Sequence, residues 1–497
     1  IGKLIEKFMN IGFRVDSSYK IGTGHVHRCL NLANEFKKKR EKCYFFTKNF
    51  PGNLNNLIKK NFGVKNIPTN FNKRKNSFSK QNILDANYTI KLIKKFKIKL
   101  IFLDHYLMNY LWEKKVSKYC DLVSISDVLY RKTNCKFLIN YNTLYEDTND
   151  YKMISRNNCK RLIGPDYSII KKYNSKKNKR VKKKIVVFMG GIDTKNISEK
   201  IAKILQNKTF RNYEILMIIG EKNIYKERIM KIIKKNKNFS FLIGNKKNLY
   251  KYLVNSSLVI SNAGTFMYEH MSLGLNALVL PQSKLQQTIC RKLSEAGLIN
   301  YIKSLKKINH TKLKNFLKKK FSKKKELLNL YDQKGTARIV EFFKNYKKLN
   351  KLSLVKAKIK DKHFLYKLVN DHNTIENSIN RKKIEFKVHE KWFSKKLKSK
   401  NVFIYILKNK ILNLGQARVD MNSINKGTIT YSISNEFRGQ NLGYRLIKLL
   451  LLRVKKNITL FAKVRNNNQA SKKIFEKCGF IIKKNSNNKY YNCYLKT

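Results

Sequence analysis

The chain has 497 residues, enough for about three domains of about 150 residues each, and carries 110 Lys and Arg against 31 Asp and Glu for a formal net charge of +79. The surplus runs through every segment rather than gathering into a stripe, so a dedicated nucleic-acid partner is disfavoured and only non-specific attraction to polyanions is expected. Eight scattered cysteines (Cys29, Cys43, Cys120, Cys135, Cys159, Cys290, Cys478, Cys493) and no apolar run near the ~18 residues of a membrane span argue against a zinc ribbon, a disulfide framework, a metal site and a membrane span, and a cytoplasmic setting is expected.

The start, at Ile1 rather than Met, is expected to be trimmed, with residues 1–9 an extension ahead of the first strand. From residue 10 to 165 short apolar runs alternate with helical stretches: Ile11–Val15, Cys43–Phe46, Leu100–Asp104, Leu122–Ile125 and Phe137–Asn140. This pattern predicts a parallel sheet covered by helices, with ligands beyond the carboxyl ends of its strands. Gly22-Thr23-Gly24-His25-Val26-His27-Arg28 lies between the first strand and an amphipathic helix marked by Leu30, Leu32, Ala33 and Phe36. Its glycines let backbone approach a ligand, and the helix N-terminus favours a phosphate or sugar oxygen.

His25 can exchange a proton near neutral pH, and Arg28 follows one turn later. Arg28 takes the place of the third glycine of a dinucleotide fingerprint, which disfavours nicotinamide. His25 is either the proton-transfer group of this cradle or an N-terminal turn residue of a packed helix. Asp104-His105-Tyr106 and Ser126-Asp127 stand at two further strand ends. Asp104 is either a cap or a site residue, and His105 and Tyr106 either join the site or pack at a domain edge.

Leu162-Ile163-Gly164-Pro165-Asp166-Tyr167 punctuates the chain, and the basic stretch Lys171–Lys184 reads as solvated surface. A second alternating half, residues 166–345, begins with Lys184–Met189 and the pair Gly190-Gly191. Strands over Glu214–Ile219, Phe239–Ile243 and Leu258–Ile260 lead to Ser261-Asn262-Ala263-Gly264-Thr265 at the start of a helix. A diphosphate suits that N-terminus, with Glu269 one turn in to accept a ribose hydroxyl. Ala277–Pro281 is a buried strand, Gln282, Gln286 and Gln287 are placed to hydrogen-bond a sugar, and helices run on to about Leu349. Two such halves suggest a nucleotide-sugar site in a cleft, the sugar facing His25 and the nucleotide on the second half.

This ordered set of motifs, from Phe13-Arg14-Val15-Asp16-Ser17 through Asp104-His105-Tyr106 and Phe188–Asp193 to Ser261–Thr265 with Glu269, resembles the UDP-sugar hydrolases of pseudaminic acid biosynthesis over residues 10–345. The resemblance implies a GT-B pair of Rossmann-type domains that hydrolyses UDP-2,4-diacetamido-2,4,6-trideoxy-β-L-altropyranose to UDP and free sugar. It implies that His25 activates water at the anomeric carbon with Tyr106 beside it. Gly22, Thr23, Gly24, Arg28, Gly190, Gly191, Ser261, Asn262, Ala263, Gly264, Thr265, Glu269 and Gln286 would bind the UDP-sugar. Ser126-Asp127 departs from the paired aspartates usual at that strand end.

After a linker at residues 346–351 the pattern changes. Leu354–Leu368 begins a strand-helix unit, and antiparallel-looking strands follow at Val402–Leu407, Leu414–Val419 and Gly427–Ile433. Asn435–Tyr444 is a second pyrophosphate cradle ahead of an apolar helix, Leu446–Val454, and Asn466–Ser471 caps a helix that ends at Lys477-Cys478-Gly479-Phe480. The order Arg-Gly-x-x-x-Gly, Asn-x-x-Ser, Phe-Glu-Lys-x-Gly-Phe resembles the GNAT acetyltransferases, an α+β domain over residues 352–497.

That resemblance implies acetyl-CoA as co-substrate, held by Ile433, Arg438, Gly439, Gln440, Asn441, Gly443, Tyr444, Asn468 and Ser471. Asn441 replaces a glycine but tolerates a left-handed backbone. Phe475 stands where many members have a tyrosine general acid, so that role falls elsewhere or to water. His389 and Trp392 resemble the early helix of the same pathway's N-acetyltransferase, or His389 is simply packed. The joined expectation is acetylation of the 4-amino group of a UDP-sugar followed by hydrolysis of the product. A GT-B glycosyltransferase is the alternative enzyme, and a polyanion-binding protein the non-enzymatic one.

Overall fold

Strands buried on both faces are nearly continuous apolar runs, and Leu100–Asp104 has every residue buried, with Asp104 at its carboxyl end. Such runs build the first two sheets of the computed structural model, which describes residues 9–69, 78–127, 131–142, 154–155, 159–173, 183–244, 252–304, 308–318, 324–345, 352–454, 457–485 and 489–497. The expected N-terminal extension, apart from its last residue, and the expected linker 346–351 lie outside the described residues. The chain divides into two compact units, the first reaching Ala337 and the second beginning its main segment at Arg338.

The first unit holds two parallel sheets. One is ordered β3-β2-β1-β4-β5-β6-β7, from β1 (Asn10–Val15), β2 (Lys42–Lys48), β3 (Gly63–Ile67), β4 (Leu100–Asp104), β5 (Asp121–Ile125), β6 (Phe137–Asn140) and β7 (Lys160–Ile163). The other is ordered β10-β9-β8-β11-β12-β13, from β8 (Lys184–Phe188), β9 (Glu214–Ile219), β10 (Phe239–Ile243), β11 (Leu258–Asn262), β12 (Ala277–Leu280) and β13 (Asn300–Tyr301). Strand order reverses between β1 and β4 and again between β8 and β11. A crevice opens beyond the carboxyl ends at each such point. Asp16, Asp104 and His105 therefore collect at one such point, and Gly190 and Asn262 at the other.

The second unit carries a mixed sheet, β14-β15-β16-β17-β18-β20-β19, from β14 (Leu352–Lys356), β15 (Val402–Asn409), β16 (Leu412–Ser423), β17 (Lys426–Ile433), β18 (Thr459–Arg465), β19 (Ile481–Lys484) and β20 (Tyr490–Lys496). Only β17 and β18 pair in parallel, and only from Lys426–Thr428 to Thr459–Phe461. Both strands run on past that register, so the sheet parts there. The apolar helix expected over Leu446–Val454 runs instead from Leu442 to Leu451, because Asn441 in the left-handed region (φ 57°) ends the loop and releases the helix directly behind it. No helix among the described residues is long and apolar enough to cross a membrane.

Gly220, after β9, sets the approach of two loops. A Cβ there would stand 2.0 Å from the Gly191 carbonyl oxygen, a backbone atom that cannot swing aside. Gly220→Ala is expected to destabilise the first unit by about 1–3 kcal/mol through overpacking, read as a lower urea midpoint at unchanged m-value.

Candidate functional site

The helix Gly24–Lys38 starts at the crevice of the first sheet and places His25 and Arg28 three residues apart on one face. The His25 Nδ1–Asp104 Oδ1 distance is 2.6 Å. Arg28 donates to both oxygens of Asp104, from Nη2 to Oδ1 at 2.6 Å and from Nε to Oδ2. Its Nη1 donates to Asp127 Oδ1 at 2.9 Å. Tyr106 Oη donates to Asp127 Oδ2 at 2.8 Å, and its ring meets His25 edge-on with centroids 4.6 Å apart. Burial opposes ionisation of Asp104, but Arg28 and then His25 outweigh it and hold the carboxyl well below the usual range. Asp127 is lowered in the same way, against burial, by Arg28. One guanidinium thus faces two carboxylates, which leaves one negative charge for the imidazolium formed when His25 takes a proton.

Arg28 was expected to touch the UDP-sugar; instead its guanidinium is spent on the two aspartates and the residue is 4% exposed. Asp127, whose place was open from sequence, is a full member of the cluster. Asn142 and Tyr268 escaped the sequence reading. Asn142 Nδ2 donates to Asp127 Oδ1 at 2.8 Å, and Tyr268 Oη, from the helix Thr265–Met271, donates to Asn142 Oδ1 at 2.5 Å. The signal for Asn142 was its place two residues beyond β6, the same strand-end rule that singled out Asp104.

The glycine loops of the two halves face one another. Thr23 Oγ1 would be 2.5 Å from a Cβ on Gly191, and Thr265 Oγ1 3.4 Å from one on Gly24. Gly190 has φ 95°, and its missing Cβ makes room for Asn262 Nδ2, which donates to the Met189 carbonyl at 3.1 Å. Gly22 is likewise left-handed (φ 88°), with open space where a Cβ would be. Ala263 and Gly264 complete the turn, and Gly264, the N-cap of the helix, leaves its first amides without a side-chain partner. Ser261 is a correction: it is fully buried, and its hydroxyl lies 2.9 Å from His270 Nε2 in the interior, so it does not line the crevice. Glu269 Oε2 accepts from Tyr173 Oη at 2.6 Å, and Gln286 Oε1 accepts from the Gln282 amide at 2.7 Å, so both carry protein partners.

In the second unit the loop Arg438–Asn441 follows β17. Gly439 and Asn441 are both left-handed, at φ 79° and 57°. Gln440 Nε2 is buried without a partner among the described residues. Gly443 packs where a Cβ would meet Ile474 Cδ1 at 2.8 Å and the Tyr431 ring at 3.2 Å. Arg438 turns back onto its own scaffold: its Nε donates to the Ile433 carbonyl at 3.0 Å and its Nη2 to Asp371 and Thr374. Tyr444, the third residue of the helix, carries Lys448 over its ring. Asn468 Oδ1 caps the helix Gln469–Lys477 by accepting from the Ser471 amide at 3.1 Å. The Ser471 and Tyr431 hydroxyls are 2.9 Å apart, and the Tyr431 ring meets the buried Phe475 edge-on. His389 is 3% exposed among Tyr366, Trp392 and Phe393, and burial pushes its pKa down to about 4, so it is a packed neutral imidazole.

Residues 184–349 match the family described as glycosyltransferase family 28 C-terminal domain, and residues 351–481 match the acetyltransferase (GNAT) domain. An uncharacterised protein of Methanocaldococcus jannaschii is 25% identical over 95% of this chain and 96% of its own length. The UDP-2,4-diacetamido-2,4,6-trideoxy-β-L-altropyranose hydrolase of Campylobacter jejuni is 26% identical over 58% of this chain and 97% of its own. Among solved structures, the calicheamicin glycosyltransferase CalG4 shares the fold of the first unit at a TM-score of 0.50 and 9% identity, covering 68% of this chain and 98% of that one. The chain thus has the fold of a GT-B-like pair of Rossmann-type halves, the second of them glycosyltransferase family 28-like, followed by an α+β domain that matches the GNAT model.

Proposed function

We propose that the chain carries two consecutive reactions on one nucleotide-sugar. The GNAT domain acetylates the 4-amino group of a UDP-linked 4-amino sugar, and the first unit hydrolyses the resulting UDP-2,4-diacetamido-2,4,6-trideoxy-β-L-altropyranose to UDP and free sugar. The single observation that carries the hydrolytic step is the His25–Asp104 pair in its charge setting. Asp104 is ionised, so Nδ1 of a neutral His25 donates to it and Nε2 is left as the acceptor. Nε2 takes the proton of a water as that water's oxygen bonds to the anomeric carbon, and the bond from that carbon to the UDP oxygen breaks. UDP departs on the second half, whose glycine turns and uncapped helix start suit a diphosphate.

The loop of the second unit fits the pyrophosphate of acetyl-CoA, since the unpartnered Gln440 amide and the left-handed Gly439 and Asn441 form a cradle of donors. Acetyl-CoA supplies the activated acetyl thioester. Phe475 has no proton to give, and the hydroxyls of Tyr431 and Ser471 stand beside it. These enzymes would work in the cytoplasm on soluble substrates. The family 28 match favours one second reading, in which an acceptor alcohol takes the place of water in the same crevice.

The test is to give the purified chain the UDP-linked 4-amino sugar with and without acetyl-CoA and follow UDP and sugar products by mass spectrometry. Free diacetamido sugar and UDP, formed only with acetyl-CoA, are expected. A glycoside formed only when an acceptor alcohol is added would replace the hydrolase with a transferase, and acetylated UDP-sugar that is never cleaved would overturn the role of His25.

A further inference from the structure

Beside the His25–Asp104 pair stands a second histidine–aspartate pair that the chemistry above does not use. Val15 and Asp104 are register partners at the ends of β1 and β4, so Asp16 and His105 are the next residue of each strand. His105 Nε2 lies 3.0 Å from Asp16 Oδ2, and the Leu107 amide donates to His105 Nδ1 at 3.0 Å. Nδ1 therefore accepts and Nε2–H donates, which defines one neutral tautomer.

The charges beneath it balance. Arg14, fully buried, donates to both oxygens of Asp16 at 2.7 and 2.9 Å and to both oxygens of Asp85 at 3.0 and 2.8 Å. Lys48 Nζ lies 2.9 Å from Asp85, the Lys48 amide donates to Asp16, and Trp112 Nε1 donates to Asp85. Two cations and two anions sum to zero, so the charge on Asp16 that would favour a proton on His105 is already offset by Arg14, whereas the cluster around His25 carries one uncompensated negative charge. Burial, helped by Arg14 and His25, outweighs Asp16 and pushes the His105 pKa down. Successive residues of one strand end thus supply an aspartate to an acid–base histidine and a histidine to a static aspartate.

The residue bracketed by these bonds is Tyr106. Its side chain is half exposed, so burial alone does not fix it, yet its ring edge touches His25 and its hydroxyl reaches Asp127. We propose that Asp16 and His105 are positioning residues: their hydrogen bond, anchored on Arg14 and Asp85, locks the turn Asp104–Leu107 and thereby sets Tyr106 against His25. The effect on turnover rests on the hydrolase reading; the effect on geometry does not.

Two variants separate the bonds. His105→Asn keeps an acceptor for the Leu107 amide but cannot reach Asp16, while His105→Gln restores a donor at the Nε2 position. In His105→Asn the nuclear Overhauser effect between the His25 and Tyr106 rings is expected to vanish, with kcat for UDP release down about 10–100-fold and KM within about threefold, since a small misplacement costs that much. His105→Gln is expected to recover the Overhauser effect and most of kcat. An Overhauser effect that persists in His105→Asn, or a Gln variant no better than Asn, overturns the proposal. If wild type releases no UDP the hydrolase reading fails, and the ring contact still decides positioning. Should His105→Asn not fold, nitrogen NMR of the wild-type chain decides: His105 found as the Nδ1–H tautomer, or titrating in the ordinary histidine range, overturns it.

Discussion

His25→Ala is expected to lower the rate of UDP release by about 10²–10⁴-fold, the contribution of a positioned general base, while UDP itself binds within about threefold of wild type. The split follows from where the groups sit. His25 heads the helix Gly24–Lys38 in the first half, whereas the turns suited to a diphosphate, Gly190-Gly191 and Asn262–Thr265, belong to the second. Single-turnover UDP release and calorimetric titration with UDP measure the two separately. Equal losses in both would mean that His25 holds the ligand rather than activating water. Asp104→Asn tests the same pair from below, since an amide can donate to Nδ1 and force the proton onto Nε2, where the acceptor is needed.

The largest stability effect is expected at Arg28. Arg28→Met leaves Asp104 and Asp127 buried without their cation and should cost about 3–5 kcal/mol at neutral pH, as breaking a buried pair does. The pH dependence has a definite sign. In the wild-type chain the folded pKa values of Asp104 and Asp127 lie below their unfolded values, as does that of Asp85, held down to about 2 against burial by Arg14. The stability these groups contribute is complete above the unfolded carboxylate range near pH 4 and is lost as pH falls through the folded values. Without Arg28, burial dominates at Asp104 and Asp127, and both take up protons at higher pH. The gap between wild type and variant is therefore widest near pH 7 and narrows toward pH 4, which urea midpoints at the two pH values measure. A gap that is constant with pH would mean that Arg28 contributes packing rather than charge.

The strand-end rule carried the sequence reading furthest. Gly22–Arg28, Asp104–Tyr106, Gly190-Gly191 and Asn262–Thr265 all stand where alternating strands and helices put ligands, because apolar period and glycine turns are local properties of the chain. Gly63–Ile67 escaped it, since Lys65 and Asn66 make an edge strand that reads as a loop, and so did the two-residue strand Asn300–Tyr301. Asn441 was legible as a left-handed residue because that tolerance belongs to the side chain itself.

Sequence alone thus determined most strands of the two parallel sheets, the first four of the mixed sheet and the loops that gather at their ends, while Thr459–Arg465, Ile481–Lys484 and Tyr490–Lys496 were not read as strands. Which side chains meet there was decided by tertiary structure. Arg28 reaches Asp104 and Asp127, 76 and 99 residues away, and Arg14 reaches Asp85, 71 residues away. Ser261 turns inward to His270, nine residues on. Strand order brings distant carboxylates beside a guanidinium, and once buried the charges must pair with one another, a requirement that no local pattern records.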